Sequence, residues 1–330
     1  MNSEMIQLFE KYRLRYYWKK NRMRLGYLFP SINNWHLAKE ERFYKEKAPF
    51  AYDEAYDFAE RPVTTAVNAF SFWHGPLLDK CIFSIKSFLA TQHYSYTLTL
   101  CFDNEEDLQA AASNEEMKRL MAKFPQLKLY LWDFDKEIAG TPFEKIRWLI
   151  KAKKQLPFVA DDFRLIALYK WGGFYFDLDV LFLKDLSRFL HQDFCYCWEN
   201  QPFANNAILF MNKDSEVMKA IAKKAVRRKT TQPWIIFEYA DKALKDLTVY
   251  PAYVFDPMWF ATKEAPMKDF PDFFKPFDEG LKPCCQSYKD FFPNAYAYHW
   301  HNCWKAPYVE NSYYGMFNEE FNTLLGLESE

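Results

Sequence analysis

Length, composition and charge exclude several classes of protein. The chain has 330 residues, of which 50% are hydrophobic and 20% aromatic, enough for one large domain or two small ones with an extensive core. Its 43 lysines and arginines balance 44 aspartates and glutamates, so no overall positive field indicates a nucleic-acid partner.

Cysteine usage and hydropathy predict where the protein works. Seven cysteines without the spacing of a disulfide framework favour a reducing compartment. No stretch approaches the roughly 18 apolar residues of a membrane span, and the N-terminus lacks the apolar centre of a signal peptide. We therefore expect a cytoplasmic protein that can attach to the cytoplasmic face of the inner membrane.

Residues 1–65 are predicted to form a helical, basic and aromatic appendage. Residues 11–24 contain seven lysines and arginines and no acid, with tyrosines and a tryptophan interleaved. Such a segment can lie on an anionic membrane surface, where each cation adds about 1 kcal/mol. It can equally pack on the body of the protein with its basic face in solvent, and the sequence leaves both interpretations open.

From Val67 onwards, patterns typical of strands and helices alternate. The predicted strands are Val67–Trp73, Tyr96–Phe102, Leu127–Trp132, a strand carrying Asp177 and Asp179, Phe194–Trp198 and Ala207–Met211. The predicted helices are Leu77–Thr91, Glu105–Lys123, a long region Pro142–Tyr169 interrupted near Pro157, and Asp214–Lys229. This alternation predicts a mostly parallel sheet with ligands at the carboxyl ends of its strands. Beyond Thr248 we expect irregular, aromatic-rich cover over the site.

The segment Trp171-Gly-Gly-Phe-Tyr-Phe-Asp-Leu-Asp-Val180 is the most informative of the chain. Two glycines end a helix, and a strand begins. Because side chains alternate along a strand, Asp177 and Asp179 are expected on one face. Two carboxylates on one face resist burial unless a cation lies between them, which predicts a divalent metal that carries nucleotide phosphates. The alternative is a pair of aspartates facing solvent.

Just upstream, Asp161 and Arg164 are three residues apart on a predicted helix and therefore share a face. A carboxylate that accepts and a guanidinium that donates can together grip the hydroxyls of a sugar. The alternative is an ordinary helical salt bridge.

The combination of Asp161-x-x-Arg164 with Gly-Gly-x-Tyr175-x-Asp177-x-Asp179 resembles glycosyltransferase family 32, the family with the D-x-D sugar-binding region. It is also similar to the catalytic domain of the large glucosylating toxins. The resemblance implies a glycosyltransferase-A fold, with a mostly parallel central sheet and helices on both faces. It would occupy residues 66–310 and leave 311–330 as a C-terminal tail.

The resemblance also implies roles for individual residues. Metal ligands would be Asp177, Asp179 and His299, binding Mn²⁺ or Mg²⁺. The catalytic positions would be Asp161, Arg164, Asp177 and Asp179. Contacts with the donor would come from Trp73, Asp161, Arg164, Tyr175, Asp177, Asn205 and Asn206, with Trp73 stacking on the nucleotide base. Residues Tyr298–Trp304 resemble the terminal H-W-x-x-S-W element, with Cys303 in place of the serine. Because His299, His301 and Cys303 would share a strand face, a separate zinc site is a minor alternative.

The implied activity is a metal-dependent, retaining transfer of a hexose from a nucleotide-sugar, with a UDP-sugar favoured and a GDP-sugar as the alternative. The expected acceptor is a glycan or lipid-linked glycan in lipooligosaccharide or capsular polysaccharide synthesis. Competing hypotheses are a toxin-like effector that glycosylates a protein hydroxyl and a non-catalytic carbohydrate-binding protein. A haloacid-dehalogenase-type phosphatase also uses a D-x-D strand end, but the motif here lies mid-chain behind two glycines.

Overall fold

The structure is a computed structural model that describes residues 63, 65–151, 156–197, 204–237, 242–250, 252–260, 266–278 and 281–327. The basic segment 11–24 and nearly all of the predicted appendage therefore lie outside the described residues. Within the described ranges, no helix combines the length and the apolarity needed to cross a membrane.

A central sheet of seven strands has the order β3-β2-β1-β4-β7-β6-β8, and a separate pair joins β5 to β9. The strands are β1 Val67–Trp73, β2 Tyr96–Phe102, β3 Leu127–Leu131, β4 Gly173–Phe176, β5 Val180–Phe182, β6 Phe194–Cys197, β7 Ala204–Met211, β8 Thr248–Tyr250 and β9 Ala297–His299. Strands β3, β2, β1 and β4 are mutually parallel, and β7 runs antiparallel to both of its neighbours. The predicted mostly parallel α/β architecture is confirmed.

The α-helices lie mainly between the strands. They are α1 Asp79–Thr91, α2 Glu105–Ser113, α3 Glu115–Lys123, α4 Phe134–Ile138, α5 Arg147–Lys151, α6 Leu156–Trp171, α7 Glu216–Arg228, α8 Pro233–Ile236, α9 Ala252–Phe255 and α10 Tyr313–Leu325. Short 3₁₀ helices include Pro142–Ile146, Phe270–Phe274 and Cys303–Lys305.

The predicted helix Glu105–Lys123 is wrong in one respect, because it is two helices. Asn114 closes α2 with an extended backbone and then caps α3, where its side chain accepts the Met117 N–H at 3.0 Å. Asparagine is favoured at such a cap because its short side chain replaces the missing helical acceptor.

Both faces of the sheet are covered, as expected. On one face α1 packs its Ile82, Ile85 and Phe88 against Phe174 and Phe176 of β4 and against other buried apolar residues. On the other face α6 and α7 bury a second apolar cluster around Phe70, Phe163 and Tyr175. The residues facing each layer alternate along β1 and β4, as strand geometry requires.

The double glycine between α6 and β4 is required by close backbone approaches. Gly172 and Gly173 have φ of 63° and 106°, values that only glycine adopts readily. A Cβ atom on Gly173 would lie 2.2 Å from the Asn68 carbonyl oxygen, and one on Gly172 would lie 2.6 Å from the Lys213 nitrogen. The glycines therefore let β4 begin immediately after α6, against β1.

The chain after Thr248 is irregular and rich in buried aromatic side chains, as predicted. Phe273, Trp300 and Phe317 belong to a third apolar cluster that reaches Phe83 of α1. Residues 311–330 were predicted from the sequence to be a C-terminal tail. They contain α10, whose Tyr313, Phe317 and Phe321 are fully buried in this cluster. By its packing, α10 is part of the same core as α1.

Candidate active site and metal centre

Asp177 and Asp179 lie in a turn between two strands and do not lie on a strand. Strand β4 ends at Phe176 and β5 begins at Val180, so the expected strand through both aspartates is wrong. The side chains nevertheless converge: one ligand atom from each of Asp177, Asp179 and His299 lies within 4.8 Å of the other two. Leu178 between them is buried in the apolar core. The turn therefore brings the carboxylates of Asp177 and Asp179 to the same side, as the alternation of side chains along a strand was expected to do.

His299 reaches this turn through pairing in the second sheet. Strand β9 lies antiparallel to β5 with His299 opposite Val180, and the Trp300 N–H donates to the Asp179 carbonyl at 3.0 Å. The His299 Nε2 lies 3.2 Å from Asp179 Oδ1. The C-terminal part of the chain thus completes a site begun by β4.

Asp179 is held as a carboxylate. Its other oxygen accepts the Asn302 N–H at 2.8 Å. Burial would raise the pKa of Asp179, but the charge of His299 and the hydrogen bonds from His299 and Asn302 outweigh burial and lower that pKa to about 2. This group is therefore ionised whenever the protein is folded near neutral pH.

Asp177 has the opposite shift. Burial and the neighbouring Asp179 charge raise its pKa to about 6, against the lowering effect of Arg164 and a hydrogen bond from Tyr175. Arg164 Nη2 lies 3.0 Å from Asp177 Oδ1. The two carboxylates are held close together although their charges repel each other. A cation bound between them would remove this repulsion.

Arg164 links both sequence motifs. Its guanidinium is 4% exposed and lies over the Tyr175 ring, 4.6 Å from the centroid. Besides binding Asp177, it donates to the Asn206 carbonyl at 2.5 Å and lies 3.8 Å from Asp161. The helical pair thus exists, but the shorter contacts of the arginine are to the turn and to β7. Arg164 fixes the position of Asp177, and its grip on sugar hydroxyls stays a prediction.

The two asparagines of β7 also lie at this edge. Asn206 donates its amide to Asp161 at 2.7 Å, which joins β7 to α6. Asn205 is buried, and its side-chain oxygen accepts the Ala207 N–H at 2.7 Å. Asn206 therefore belongs to the Arg164 network, whereas Asn205 shapes the start of the strand.

Trp73 ends β1 at the same edge of the sheet. Its indole N–H donates to the Pro76 carbonyl at 3.1 Å, and its ring meets Trp304 edge-on at 4.8 Å between centroids. Its indole ring is partly buried beside the C-terminal element. Stacking on a nucleotide base stays a prediction.

Tyr196 and Asp256 lie around His299 and were not predicted as members of the site, and His301 was named only for the alternative zinc site. The Tyr196 hydroxyl lies 3.0 Å from His299 Nδ1, and Asp256, which is fully buried, lies 3.7 Å from the same nitrogen. His301 Nε2 lies 2.6 Å from Asp256, and the two histidine rings stack at 3.9 Å. Burial would lower the pKa of His299, but Asp179 and Asp256 raise it to about 10.

Asp256 directly follows the short helix α9 and reaches both histidines from there. Cys303 does not join the histidines, because β9 ends at His299 and the chain turns. Among the described residues, the metal-capable groups that include His299 contain Asp177, Asp179, Asp256 and His301 but not Cys303, so the expected shared strand face for zinc is wrong.

A cavity of about 540 Å³ opens beyond the carboxyl ends of β1, β2 and β3. Ligand clefts of α/β sheets form at this edge. Its apolar wall includes Phe72, Trp132 and Phe163, and its polar rim includes Asp103 and Asp162. Asp162 follows Asp161 on α6, but Asp161, Arg164 and Asp177 do not line the cavity. Trp73 is not among its lining residues.

Two carboxylates and one imidazole within 4.8 Å could hold a divalent cation. The pattern of shifts agrees with this fit, because Asp177 and Asp179 repel each other and His299 carries a compensating proton. A bound cation would take over the role of that proton.

Residues 80–196 match the family model described as "Glycosyltransferase sugar-binding region containing DXD motif". The matched range includes the Asp161–Arg164 pair and the Asp177–Asp179 turn. The comparison with curated proteins gives no match.

Among solved structures, the chain is similar to several glycosyltransferases. The WbbM bifunctional enzyme in its apo form is 11% identical over 81% of this chain and 51% of its own, with a TM-score of 0.46. An active-site mutant of LgtC is 13% identical over 80% and 96%, with a TM-score of 0.41. The PaToxG glycosyltransferase is 15% identical over 62% and 76%, with a TM-score of 0.38.

Proposed function

We propose that this protein is a metal-dependent, retaining glycosyltransferase that transfers a hexose from a nucleotide-sugar to a glycan acceptor. The observation that carries the proposal is the convergence of Asp177, Asp179 and His299 at the carboxyl edge of the sheet, directly after β4. The matched sugar-binding region supports it. We also propose that the fold is of the glycosyltransferase-A type and that the chain belongs with glycosyltransferase family 32.

Asp177, Asp179 and His299 would hold the cation. An imidazole among the ligands favours Mn²⁺ over Mg²⁺, since Mg²⁺ keeps an oxygen shell with several waters. When bound, the cation would neutralise the charge that develops on the departing nucleoside diphosphate.

Protein groups would position the rest of the donor. The cavity bounded by Phe72, Trp132 and Asp103 is of a size that can take a nucleoside, and a UDP-sugar is the favoured donor, with a GDP-sugar as the alternative. Asp161 and Asn206, which are joined by a hydrogen bond of 2.7 Å, would bind sugar hydroxyls as hydrogen-bond partners. Retention follows if the acceptor attacks from the face of the leaving phosphate, which accepts the acceptor proton.

The proposal is tested by screening UDP- and GDP-sugars for Mn²⁺-dependent hydrolysis and transfer. Asp179→Asn should abolish metal-dependent turnover while the protein stays folded, because it removes the group held as a carboxylate. Asp290→Asn, on the exposed surface, is the matched control and should leave turnover unchanged. Undiminished turnover of Asp179→Asn would refute the metal assignment.

A second experiment tests the contact with the nucleotide base. We propose that Trp73 stacks on the nucleotide base, in which case Trp73→Ala should weaken nucleotide affinity by about 1–3 kcal/mol, the usual range for aromatic–base stacking. Trp148→Ala is the control, since Trp148 is 63% exposed on α5. Unchanged nucleotide affinity of Trp73→Ala would remove the stacking role.

The acceptor is proposed to be a glycan or lipid-linked glycan of lipooligosaccharide or capsular polysaccharide synthesis. The same assays separate the alternatives. Transfer to a protein hydroxyl alone would identify a toxin-like effector. Sugar binding without turnover, and without Mn²⁺-dependent stabilisation by UDP, would identify a non-catalytic carbohydrate-binding protein.

Residues 11–24 are proposed to attach the cytoplasmic enzyme to an anionic membrane surface, which would bring it to a lipid-linked acceptor. Sedimentation with vesicles that contain anionic lipid should recover the wild type but release a variant with Lys19, Lys20, Arg22 and Arg24 replaced by glutamine. Equal recovery of both proteins would favour packing of this segment on the body instead.

A further inference from the structure

We infer that Lys80 is a positioning residue, which holds the turn after β9 so that the Asn302 N–H stays on Asp179. Lys80 lies in the first turn of α1 and is 3% exposed. Its ammonium donates to the carbonyls of Cys303 and Ala306, each at 2.6 Å, and approaches that of Trp304 at 3.4 Å. One lysine thus contacts three backbone carbonyls of the segment 303–306.

The surroundings of Lys80 indicate that these carbonyls stabilise its buried ammonium group. Its Nζ lies 3.7 Å from the centroid of the Phe274 ring. Among the residues that the structure describes, Lys80 forms no ion pair. The carbonyls belong to the 3₁₀ helix Cys303–Lys305 and its cap, where the Cys303 carbonyl accepts both the Lys80 ammonium and, at 3.2 Å, the Ala306 N–H. Burial lowers the pKa of Lys80 to about 8, which still leaves the ammonium form dominant at neutral pH.

The turn that Lys80 holds has an unfavourable backbone. His301 and Asn302 have φ of 47° and 58°, and two successive non-glycine residues in the left-handed region persist only where neighbouring contacts stabilise them. The conformation aims the Asn302 N–H at Asp179 Oδ2, at 2.8 Å. The carbonyls bound by Lys80 begin one residue later.

A continuous set of contacts therefore runs from α1 to the metal-binding turn. Lys80 fixes residues 303–306, their position fixes Asn302, and Asn302 fixes one oxygen of Asp179. Lys80 itself does not touch Asp179, so it acts through the backbone. The consequence for cation binding rests on the proposed function, whereas the effect on the turn does not.

The chain supplies a matched control on the same helix. Lys86 is also buried, but its ammonium donates to the side chains of Asn318 and Asn322 on α10 and pairs with Glu116, away from the turn. Lys80→Met and Lys86→Met each remove one buried ammonium and keep an unbranched side chain. Any general effect of losing a buried lysine should appear in both variants.

The experiment is hydrogen–deuterium exchange on the full chain without metal or nucleotide, followed by Mn²⁺ affinity from electron paramagnetic resonance. In Lys80→Met the amides of residues 300–306 should exchange at least about tenfold faster, as expected for loss of hydrogen bonds to a charged group. Lys86→Met should leave these amides unchanged. Mn²⁺ affinity should fall in Lys80→Met only.

Unchanged exchange at residues 300–306 in Lys80→Met, or equal acceleration in both variants, would overturn the inference. If Lys80→Met does not fold, Lys80→Gln retains a donor and should give intermediate exchange; wild-type protection in that variant overturns the inference as well. Faster exchange in Lys80→Met, in a protein whose wild type binds no Mn²⁺, would support the role of Lys80 in the turn while refuting the proposed function.

Discussion

Cation binding at the Asp177–Asp179 turn should release a proton from His299. In the cation-free protein, Asp179 and Asp256 raise the pKa of His299 to about 10, so the imidazole is protonated at neutral pH. Its Nε2 lies 3.2 Å from Asp179 Oδ1 and carries a proton toward that oxygen. A protonated nitrogen has no lone pair for a metal, and therefore ligation requires its deprotonation.

The size of the effect follows from the distance between the pKa and the working pH. Each unit of pH below the pKa of the ligand costs a factor of about ten in apparent affinity, so at pH 7 the affinity should be about a thousandfold below its limit. Between about pH 7 and pH 9 it should rise about tenfold per unit, with one proton released per cation. Because the pKa of Asp177 is raised to about 6, a second proton should be released at lower pH.

The assay is isothermal titration calorimetry of Mn²⁺ in buffers that differ in their enthalpy of ionisation, under oxygen-free conditions and without nucleotide. The difference in heat between buffers gives the number of protons released. In His299→Gln the release should fall nearly to zero near neutral pH, and the affinity should become independent of pH above the pKa of Asp177. Binding by the wild type without proton release would refute the reasoning, since His299 would then not be a ligand.

Three further predictions test the supports of the site. Arg164→Met leaves Asp177, whose side chain is 25% exposed, without its cation and should lower the free energy of unfolding by about 1–3 kcal/mol, measured with urea. Gly173→Ala should prevent folding or cost more than about 4 kcal/mol, because its Cβ atom meets backbone. Tyr196→Phe removes the hydroxyl 3.0 Å from His299 Nδ1 and should weaken Mn²⁺ affinity by about tenfold, as orienting partners of metal ligands do.

Each of these variants has a control in the chain. Arg119→Met changes an exposed arginine of α3 and should alter stability by less than about 0.5 kcal/mol. Gly140→Ala shares a left-handed φ of 72° but meets no atom within 4 Å, so it isolates backbone strain from the clash at Gly173. Tyr250→Phe removes a hydroxyl of β8 that contacts Gln192, just before β6. If a variant and its control behave alike, the contact assigned to the variant is wrong.

Most of the fold could be predicted because its elements carry local patterns. Strands β1 and β2 have the predicted bounds, Val67–Trp73 and Tyr96–Phe102, since apolar and β-branched runs there are bounded by turn residues. The break at Asn114 was missed because the flanking residues are nearly all good helix formers, and only one capping side chain separates the two helices. The order of the strands in the sheet could not be predicted from such local patterns and is known from the structure.

The candidate site likewise contains residues that could be predicted from the sequence and residues that could not. Asp161, Arg164, Asp177 and Asp179 could be selected because their spacing within one segment already implies proximity. Their partners could not. Asp256 and Tyr196 carry no local signal of a metal site, since each becomes significant only through contact with a histidine distant in sequence.

The turn after β9 shows why such partners decide the properties of the site. Asn302 is 123 residues from Asp179, yet its N–H is one of the contacts that keep this carboxylate ionised. The charge of His299, its hydrogen bond and the nearby His301, all from the same part of the chain, lower the pKa of Asp179 in the same direction. Without these contacts, burial would raise the pKa of Asp179, as burial raises that of Asp177. The D-x-D segment supplies the two carboxylates, and residues 299–302 supply the charge and hydrogen bonds that keep Asp179 ionised at neutral pH.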